Sequence, residues 1–269
     1  MQEAWHRAFA NHVTTSFVDL LRAESPHLLP QSGPDRETER PAVSIPHGTT
    51  ILALKHRDGV VMAGDRQATE GYQVAHRRIE KVYKADSSSA IAIAGAAGPA
   101  IEMVRLFQTE LEHYEKVEGE NLSLEGKANK LAQMIRMNLP AAMQGLVVIP
   151  IFAGYDDKAD QGRIFMYDVT GGRYEEQDTY ATGSGGKDAR NTLRRLYRKD
   201  LSREEAVRVA LEALLDAAEE DVGTAGPDFV KGIMPSVKII SRGGFEDVPE
   251  DEIRRVAEAI LNERREASR

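Results

Sequence analysis

Three side chains could together perform nucleophilic chemistry: the hydroxyl of Thr49, the carboxylate of Asp65 and the ammonium of Lys81. A threonine with a free α-amine carries both a nucleophile and a base, which is one route to activating a weak hydroxyl. A buried lysine paired with an aspartate stays charged and lowers the pKa of a nearby hydroxyl or amine. This set therefore predicts an N-terminal threonine nucleophile, provided that the chain is cut before Thr49.

The Gly48-Thr49 bond lies at a border where such a cut is expected. Five of the chain's eleven prolines fall within residues 26–46, which predicts an extended linker. The first 21 residues carry an apolar stripe with the spacing of an amphipathic helix, formed by Trp5, Phe9, Val13, Phe17, Leu20 and Leu21. We interpret residues 1–48 as a removable propeptide and residues 49–269 as one catalytic domain; a regulatory tail is the alternative reading of residues 1–48.

Downstream of the border the pattern predicts alternating groups of strands and helices. A hairpin is expected over residues 49–63, because Asp58-Gly59 is a strong turn dipeptide between two apolar runs. Further strands are predicted at 81–84, 90–94, 147–154, 163–168, 175–182 and 236–241. Helices are predicted from Gly98-Pro99, from about residue 123 toward 140, and over 185–197, 203–221 and 249–263. This order predicts an α+β fold, a four-layer αββα sandwich of two antiparallel sheets flanked by helices.

Composition excludes several classes of function. The net charge of −8 disfavours nucleic-acid binding, and without cysteine there is neither a disulfide nor a thiolate zinc site. No apolar run approaches the ~18 residues that span a bilayer, and no targeting segment is evident, so we expect a cytoplasmic protein with no membrane contact. Asp188 and Ile93 break the two phosphate-binding patterns, and the histidines are scattered, which predicts neither cofactor nor metal.

The chain resembles a beta subunit of a bacterial 20S-type proteasome over essentially all of residues 49–269. The resemblance rests on six segments: Gly48-Thr49-Thr50-Ile51, Gly64-Asp65-Arg66, Lys81, Ile93-Ala94-Gly95, Gly183-Ser184-Gly185 and Asp221-Val222-Gly223-Thr224. Asp65 follows Thr49 by sixteen residues, and Lys81 follows Asp65 by sixteen more. One departure is Gln67, where relatives often carry a second arginine; we expect it to affect local packing more than chemistry.

The resemblance implies the fold of the N-terminal-nucleophile hydrolases and a self-processing threonine endopeptidase that acts on unfolded proteins. It implies that Gly48-Thr49 is the self-cleavage site, that Thr49 is the nucleophile and that Lys81 and Asp65 support it. Gly95 would supply the oxyanion donor, and Ser184 with Asp221 would hold the amine. Thr224 would be the hydroxyl that accompanies Asp221, where many relatives carry serine. The implied substrate pocket, which carries no formal charge and so predicts a preference for apolar side chains, consists of Ala68, Thr69, Ile79, Ile93 and Ala97.

The same resemblance implies the partners. It predicts homo-heptameric beta rings between rings of alpha subunits in a four-ring particle, with an ATPase ring that unfolds protein substrates. Three alternatives stay open at this point: a subunit of the simpler two-component ATP-dependent peptidase, an amide hydrolase that acts on small molecules, and a non-catalytic ring subunit. The sequence leaves open which proteins are degraded, how they are tagged and whether the propeptide speeds or slows assembly.

Overall fold

The structure is a computed structural model and describes residues 48–70 and 73–269. The helix and the Pro-rich linker predicted within residues 1–47 lie outside the described residues. Eighteen elements follow one another in the described chain: β1 Thr50–His56, β2 Gly59–Gly64, β3 Ala68–Glu70, β4 Gln73–His76, β5 Val82–Asp86, β6 Ser89–Gly95, α1 Ala97–Glu118, α2 Leu124–Met137, α3 Leu139–Ala142, β7 Val148–Asp156, β8 Gln161–Tyr167, β9 Arg173–Glu176, β10 Thr179–Gly183, α4 Gly186–Leu196, α5 Arg203–Glu220, β11 Ser236–Ser241, β12 Gly244–Asp247 and α6 Glu250–Ala267.

The strands form two antiparallel five-stranded sheets. The first has the order β10-β1-β2-β11-β12 and the second the order β5-β6-β7-β8-β9, while β3 and β4 form a separate pair. Successive side chains point to opposite sides of a strand. In β1 the side chains on both sides are buried. Leu52 and Leu54 face the helices, whereas Ile51 and Ala53 face the second sheet. The first sheet is therefore an inner layer.

Three apolar clusters fill the spaces between four layers. The cluster between the sheets contains Met62 and Ile151, which belong to the first and second sheet respectively. The outer face of the first sheet packs on α4, α5 and α6. The outer face of the second sheet packs on α1 and α2, where Phe107 meets Phe152 edge to face with ring centroids 5.6 Å apart. The predicted four-layer αββα sandwich is confirmed.

Local signals place most of the helices where they were expected. Ser202 and Glu205 form the reciprocal capping box that starts α5, which satisfies backbone donors that would otherwise be orphaned. The helix predicted from residue 123 toward 140 is shorter, since α2 ends at Met137 and a separate turn, α3, follows Asn138. In the described part of the chain, none of the helices combines the length and the apolar character that crossing a bilayer requires.

The prediction of a single strand over residues 175–182 is wrong, because the chain there forms two strands, one in each sheet. Residues 173–176 form β9 beside β8 in the second sheet, and residues 179–183 form β10 beside β1 in the first. The chain crosses between the layers at Gln177 and Asp178, and the Asp178 carbonyl accepts a hydrogen bond from the Lys55 amide at 2.9 Å. The short strands β3, β4 and β12 were not predicted.

Candidate active site

Strand pairing brings the ends of separate elements together around Thr49. Thr49 precedes β1 and Asp65 follows β2, and the pairing of Ile51 with Gly64 puts those two ends side by side. The pairing of Thr50 with Gly183 places Ser184 on the other side of β1. Lys81 begins the segment that enters β5. The three side chains singled out for nucleophilic chemistry therefore converge at one end of the sandwich.

Asp65 and Lys81 form a buried ion pair. Lys81 Nζ donates to Asp65 Oδ1 at 2.6 Å, and the two side chains are 3% and 0% exposed. The Asp65 carboxylate also accepts the backbone amides of Thr50, Gln67 and Ala225, at 2.8, 2.9 and 3.2 Å. Four donors thus stabilise its negative charge. Burial lowers the pKa of the Lys81 ammonium below its ordinary value of 10.5, and the charge of Asp65 offsets only part of that effect.

The intact Gly48-Thr49 bond is held against the nucleophile. Thr49 Oγ1 donates to the Gly48 carbonyl oxygen at 2.6 Å, and Lys81 Nζ lies 3.4 Å from the same oxygen. The Gly48 amide donates to Thr69 Oγ1 at 3.1 Å. A Cβ on residue 48 would lie 2.2 Å from Thr69 Oγ1 and 2.7 Å from the Gly223 Cα, so this position requires glycine.

A second group of polar side chains contacts the amide of Thr49. This amide donates to Ser184 Oγ at 3.1 Å, and Ser184 Oγ donates to Asp221 Oδ2 at 2.5 Å. Thr224 Oγ1 donates to the same carboxylate oxygen at 2.5 Å. The Thr49 carbonyl accepts the Ser184 amide at 2.8 Å. The structure therefore brings Ser184, Asp221 and Thr224 together beside the nitrogen that cleavage would release.

Gly95 lines the pocket next to Thr49, together with Gly48, Lys81 and Ala94. Its φ of +107° and the 2.1 Å that would separate a Cβ from the Val147 carbonyl oxygen both require glycine. Four of the five predicted pocket residues line this cavity: Ala68, Ile79, Ile93 and Ala97. Ala100 and Ile101 on α1 complete its apolar wall.

The cavity differs from the predicted pocket in two respects. Thr69 is not among the lining residues, because its hydroxyl is directed to the Gly48 amide instead. The lining also carries formal charge, since Glu80 and Lys81 belong to it. Glu80 Oε1 accepts the amides of Lys81 and Val82, at 3.2 and 3.3 Å, which holds this carboxylate against the start of β5.

Sequence reasoning missed Thr50, and the structure gives Gln67 a contact with the loop that carries Thr224. Thr50 is fully buried, and its hydroxyl lies 2.6 Å from Thr224 Oγ1. Gln67 Nε2 donates to the Val222 carbonyl at 3.0 Å and so ties the loop that carries Thr224 to the end of β2. The available signal for Thr50 was a polar residue directly before a run of four apolar strand residues.

The carboxylates of the site are engaged by hydrogen-bond donors. Asp65 accepts four donors, and Asp221 accepts two hydroxyls and the Gly223 amide. Within residues 48–70 and 73–269, no group of three or more histidine, aspartate or glutamate side chains is arranged to hold a metal ion. A separate cavity of about 660 Å³ is lined by His56 and Lys55, among others. It lies at the far end of β1, roughly 20 Å from Thr49 by strand length.

Comparison with known proteins agrees with the geometry. The family model described as "Proteasome subunit" matches residues 45–230. A "Proteasome subunit beta" of Acidimicrobium ferrooxidans is 54% identical over 241 residues, which cover 90% of this chain and 87% of the relative. One from Streptomyces griseus is 52% identical over 261 residues, covering 96% and 92%. One from Acidothermus cellulolyticus is 52% identical over 251 residues, covering 92% and 86%.

Proposed function

This chain belongs to the proteasome subunit family, as a beta subunit, and on that premise we propose that Thr49 is its catalytic nucleophile. The family supplies the coarse function, that of a catalytic subunit with peptidase activity that assembles with alpha subunits into the proteasome core. The observation that carries the proposal is the 2.6 Å contact from Thr49 Oγ1 to the Gly48 carbonyl oxygen, with Lys81 Nζ 3.4 Å from that oxygen.

The first step is self-cleavage of the Gly48-Thr49 bond. Thr49 Oγ1 attacks the Gly48 carbonyl carbon, the carbon–nitrogen bond breaks, and an ester joins residue 48 to the threonine side chain. The proton that leaves the hydroxyl ends on the departing nitrogen. Water then hydrolyses the ester, which releases Gly48 as a carboxylate and leaves Thr49 with a free amine. Lys81 stabilises the developing negative charge because its ammonium already lies beside the carbonyl oxygen.

The second step repeats the same attack on a substrate peptide bond. The released amine has an unperturbed pKa of about 7.7–8.0, so it is suited to accept the hydroxyl proton near neutral pH. It then returns the proton to the leaving amine of the substrate. Water hydrolyses the ester that this leaves on Thr49, which releases the acyl fragment as a carboxylate and restores the threonine hydroxyl. Ser184, Asp221 and Thr224 hold the amine, and Asp65 orients Lys81. The Gly95 amide receives the oxyanion, a contact worth roughly 3–4 kcal/mol elsewhere.

The pocket beside Thr49 supports a preference for apolar side chains before the cut bond. Its walls are the aliphatic side chains of Ile79, Ile93 and Ile101 with four alanines between them. The reason differs from the one that the sequence suggested, since the lining does contain charges. Lys81 is neutralised by Asp65, and Glu80 is held by backbone amides, so the apolar wall is the surface left to contact a substrate side chain.

The remaining parts of the proposal concern assembly and processing. Residues 1–48 form a propeptide that is lost at Gly48-Thr49, and residues 49–269 are the working subunit. Most of the first 48 residues fall within the stretch aligned to the Streptomyces griseus relative, which supports a shared precursor form. Seven copies form each beta ring, alpha rings flank the two beta rings, and an ATPase ring delivers unfolded proteins to this cytoplasmic particle.

Peptide turnover by three purified particles tests the proposal. Wild type should cleave a fluorogenic peptide with an apolar residue before the reporter, and Thr49→Ala should cleave none. Thr170→Ala is the matched control, because it makes the same change in the exposed turn between β8 and β9. The proposal is wrong if Thr49→Ala keeps the turnover of the control.

A further inference from the structure

The hydroxyl of Thr50 lies at the centre of a buried hydrogen-bond chain that the mechanism above does not use. Thr50 Oγ1 is 2.6 Å from Thr224 Oγ1 and accepts the Gly185 amide at 3.1 Å. Thr50 is 0% exposed and Thr224 is 4% exposed. Because no solvent reaches Thr50, its hydroxyl must take its partners from the protein.

The direction of each hydrogen bond in this chain follows from its partners. The ionised Asp221 carboxylate can only accept, so the single hydroxyl hydrogen of Thr224 lies on Asp221 Oδ2 at 2.5 Å. Thr224 Oγ1 therefore accepts from Thr50, and the Thr50 hydroxyl is the donor. The Gly185 amide donates to Thr50 in turn. Each hydroxyl in the chain therefore has one orientation: Thr50 donates to Thr224, and Thr224 donates to Asp221.

The backbone of Thr50 reaches the other half of the site. Its amide donates to Asp65 Oδ1 at 2.8 Å, and that oxygen also accepts Lys81 Nζ. Three charged side chains therefore face this end of β1: Asp65 from the end of β2, Lys81 before β5, and Asp221 after α5. Thr50 contacts Asp65 through its backbone amide and Asp221 through Thr224.

We propose that Thr50 is a positioning residue for the peptidase reaction, whose hydroxyl donates to Thr224 and so strengthens the hydrogen bond from Thr224 to Asp221, which sets the charge that the Thr49 amine experiences. The inference depends on the proposed role of Thr49. A hydroxyl that accepts one hydrogen bond donates a stronger one. Without the Thr50 donor, Thr224 therefore offsets less of the Asp221 charge, which then bears more strongly on Ser184 and on the amine. A stronger negative field favours the ammonium form, which is inactive as a base.

The test compares kcat, KM and the pH profile of Thr50→Val with those of wild type. Valine keeps the shape of threonine and replaces its hydroxyl with a methyl group. We expect kcat to fall roughly five- to tenfold, the rate equivalent of one hydrogen bond, with KM unchanged because Thr50 does not line the pocket. The acid limb of the kcat profile should move to higher pH. Thr50→Ser should restore both values, since serine keeps the hydroxyl.

Two further comparisons separate this role from a structural one. Thr192→Val is the matched control, because Thr192 is a second buried threonine with a hydrogen-bonded hydroxyl. Its partner is Asp216 on α5, outside the site. In a double-mutant cycle, Thr50→Val with Thr224→Val should lose no more activity than the worse single variant, as expected for one chain. Losses that multiply, or a Thr50→Val profile equal to that of Thr192→Val, would overturn the inference.

Three outcomes have separate meanings. If Thr50→Val does not assemble, Thr50→Ala takes its place, since alanine removes atoms without adding any. If Thr49→Ala retains turnover, the proposed function fails whatever Thr50 does. If Thr49→Ala is inactive and Thr50→Val matches wild type in kcat and pH profile, only the role of Thr50 is refuted.

Discussion

Lys81 Nζ lies 2.6 Å from Asp65 Oδ1, and the two side chains are almost completely buried beside the Gly48-Thr49 bond. A buried ion pair is weak evidence for stability, because desolvation of both charges opposes their attraction. Removing one partner is costly, however, since the other charge stays buried and unpaired. The geometry of this pair therefore predicts an asymmetry between its two single variants.

Asp65→Asn should be the more damaging of the two. It leaves the Lys81 ammonium without a counter-charge and should destabilise the chain by about 3–5 kcal/mol. Lys81→Met leaves Asp65 with three backbone donors, so its loss should be smaller. Chemical denaturation measures both, with the exposed Asp157→Asn as control. Equal losses in the two variants would contradict the asymmetry.

The lowered pKa of Lys81 predicts opposite effects of alkaline pH on activity and stability. Between the lowered pKa and the ordinary value of 10.5, the unfolded chain binds more protons than the folded one, so stability rises with pH across that window. Turnover should fall across the same window because the Lys81 cation is lost. Unfolding midpoints and kcat measured against pH test this. The rise in stability should be smaller in Lys81→Met, where Lys55, whose pKa burial also lowers, still contributes; an identical rise in that variant would assign it to groups other than Lys81.

Gly48→Ala should slow self-cleavage strongly. An added Cβ would lie 2.2 Å from Thr69 Oγ1 and 2.8 Å from the Gly223 carbonyl oxygen, so the scissile bond must move. A misplacement of the reacting atoms by about 1 Å can cost about 100-fold in rate. Gly98→Ala is the matched control, because nothing lies within 4 Å of the Cβ that it adds. Intact mass over time follows the loss of residues 1–48; normal processing of Gly48→Ala would argue against the observed bond geometry.

Thr69→Val should separate processing from turnover. Its hydroxyl accepts the Gly48 amide only while that residue is attached, and it does not line the pocket. Self-cleavage should therefore slow roughly five- to tenfold, the equivalent of one lost hydrogen bond. The matured subunit should keep the wild-type kcat, and Thr69→Ser should process at the wild-type rate. A fall in kcat of the matured Thr69→Val particle would indicate that the side chain serves substrate binding after all.

The elements that the sequence predicted well are those with a local signal. The Asp58-Gly59 turn set the β1–β2 hairpin, and the Ser202/Glu205 pair fixed the start of α5. The strand expected at 175–182 failed because an alternating pattern gives the faces of a strand but not the sheet that it joins. Gln177 and Asp178 cross between two sheets, which no local signal predicts.

The site shows the same division. The resemblance identified the seven residues that are proposed to be catalytic. The structure then shows that Thr49, Asp65, Lys81 and Ser184 lie close together. The contacts of Thr69 with Gly48 and of Thr50 with Thr224 join residues 21 and 174 positions apart. Such contacts depend on strand register and side-chain direction, so composition and spacing could not have predicted them.

The central claim is that Thr49 becomes the first residue of the working subunit. Intact mass of the beta subunit from assembled, active particles tests it most directly. We expect one mass, that of residues 49–269, and retention of residues 1–48 in Thr49→Ala. An active particle whose beta subunit begins at another residue, or still carries residues 1–48, would contradict the account.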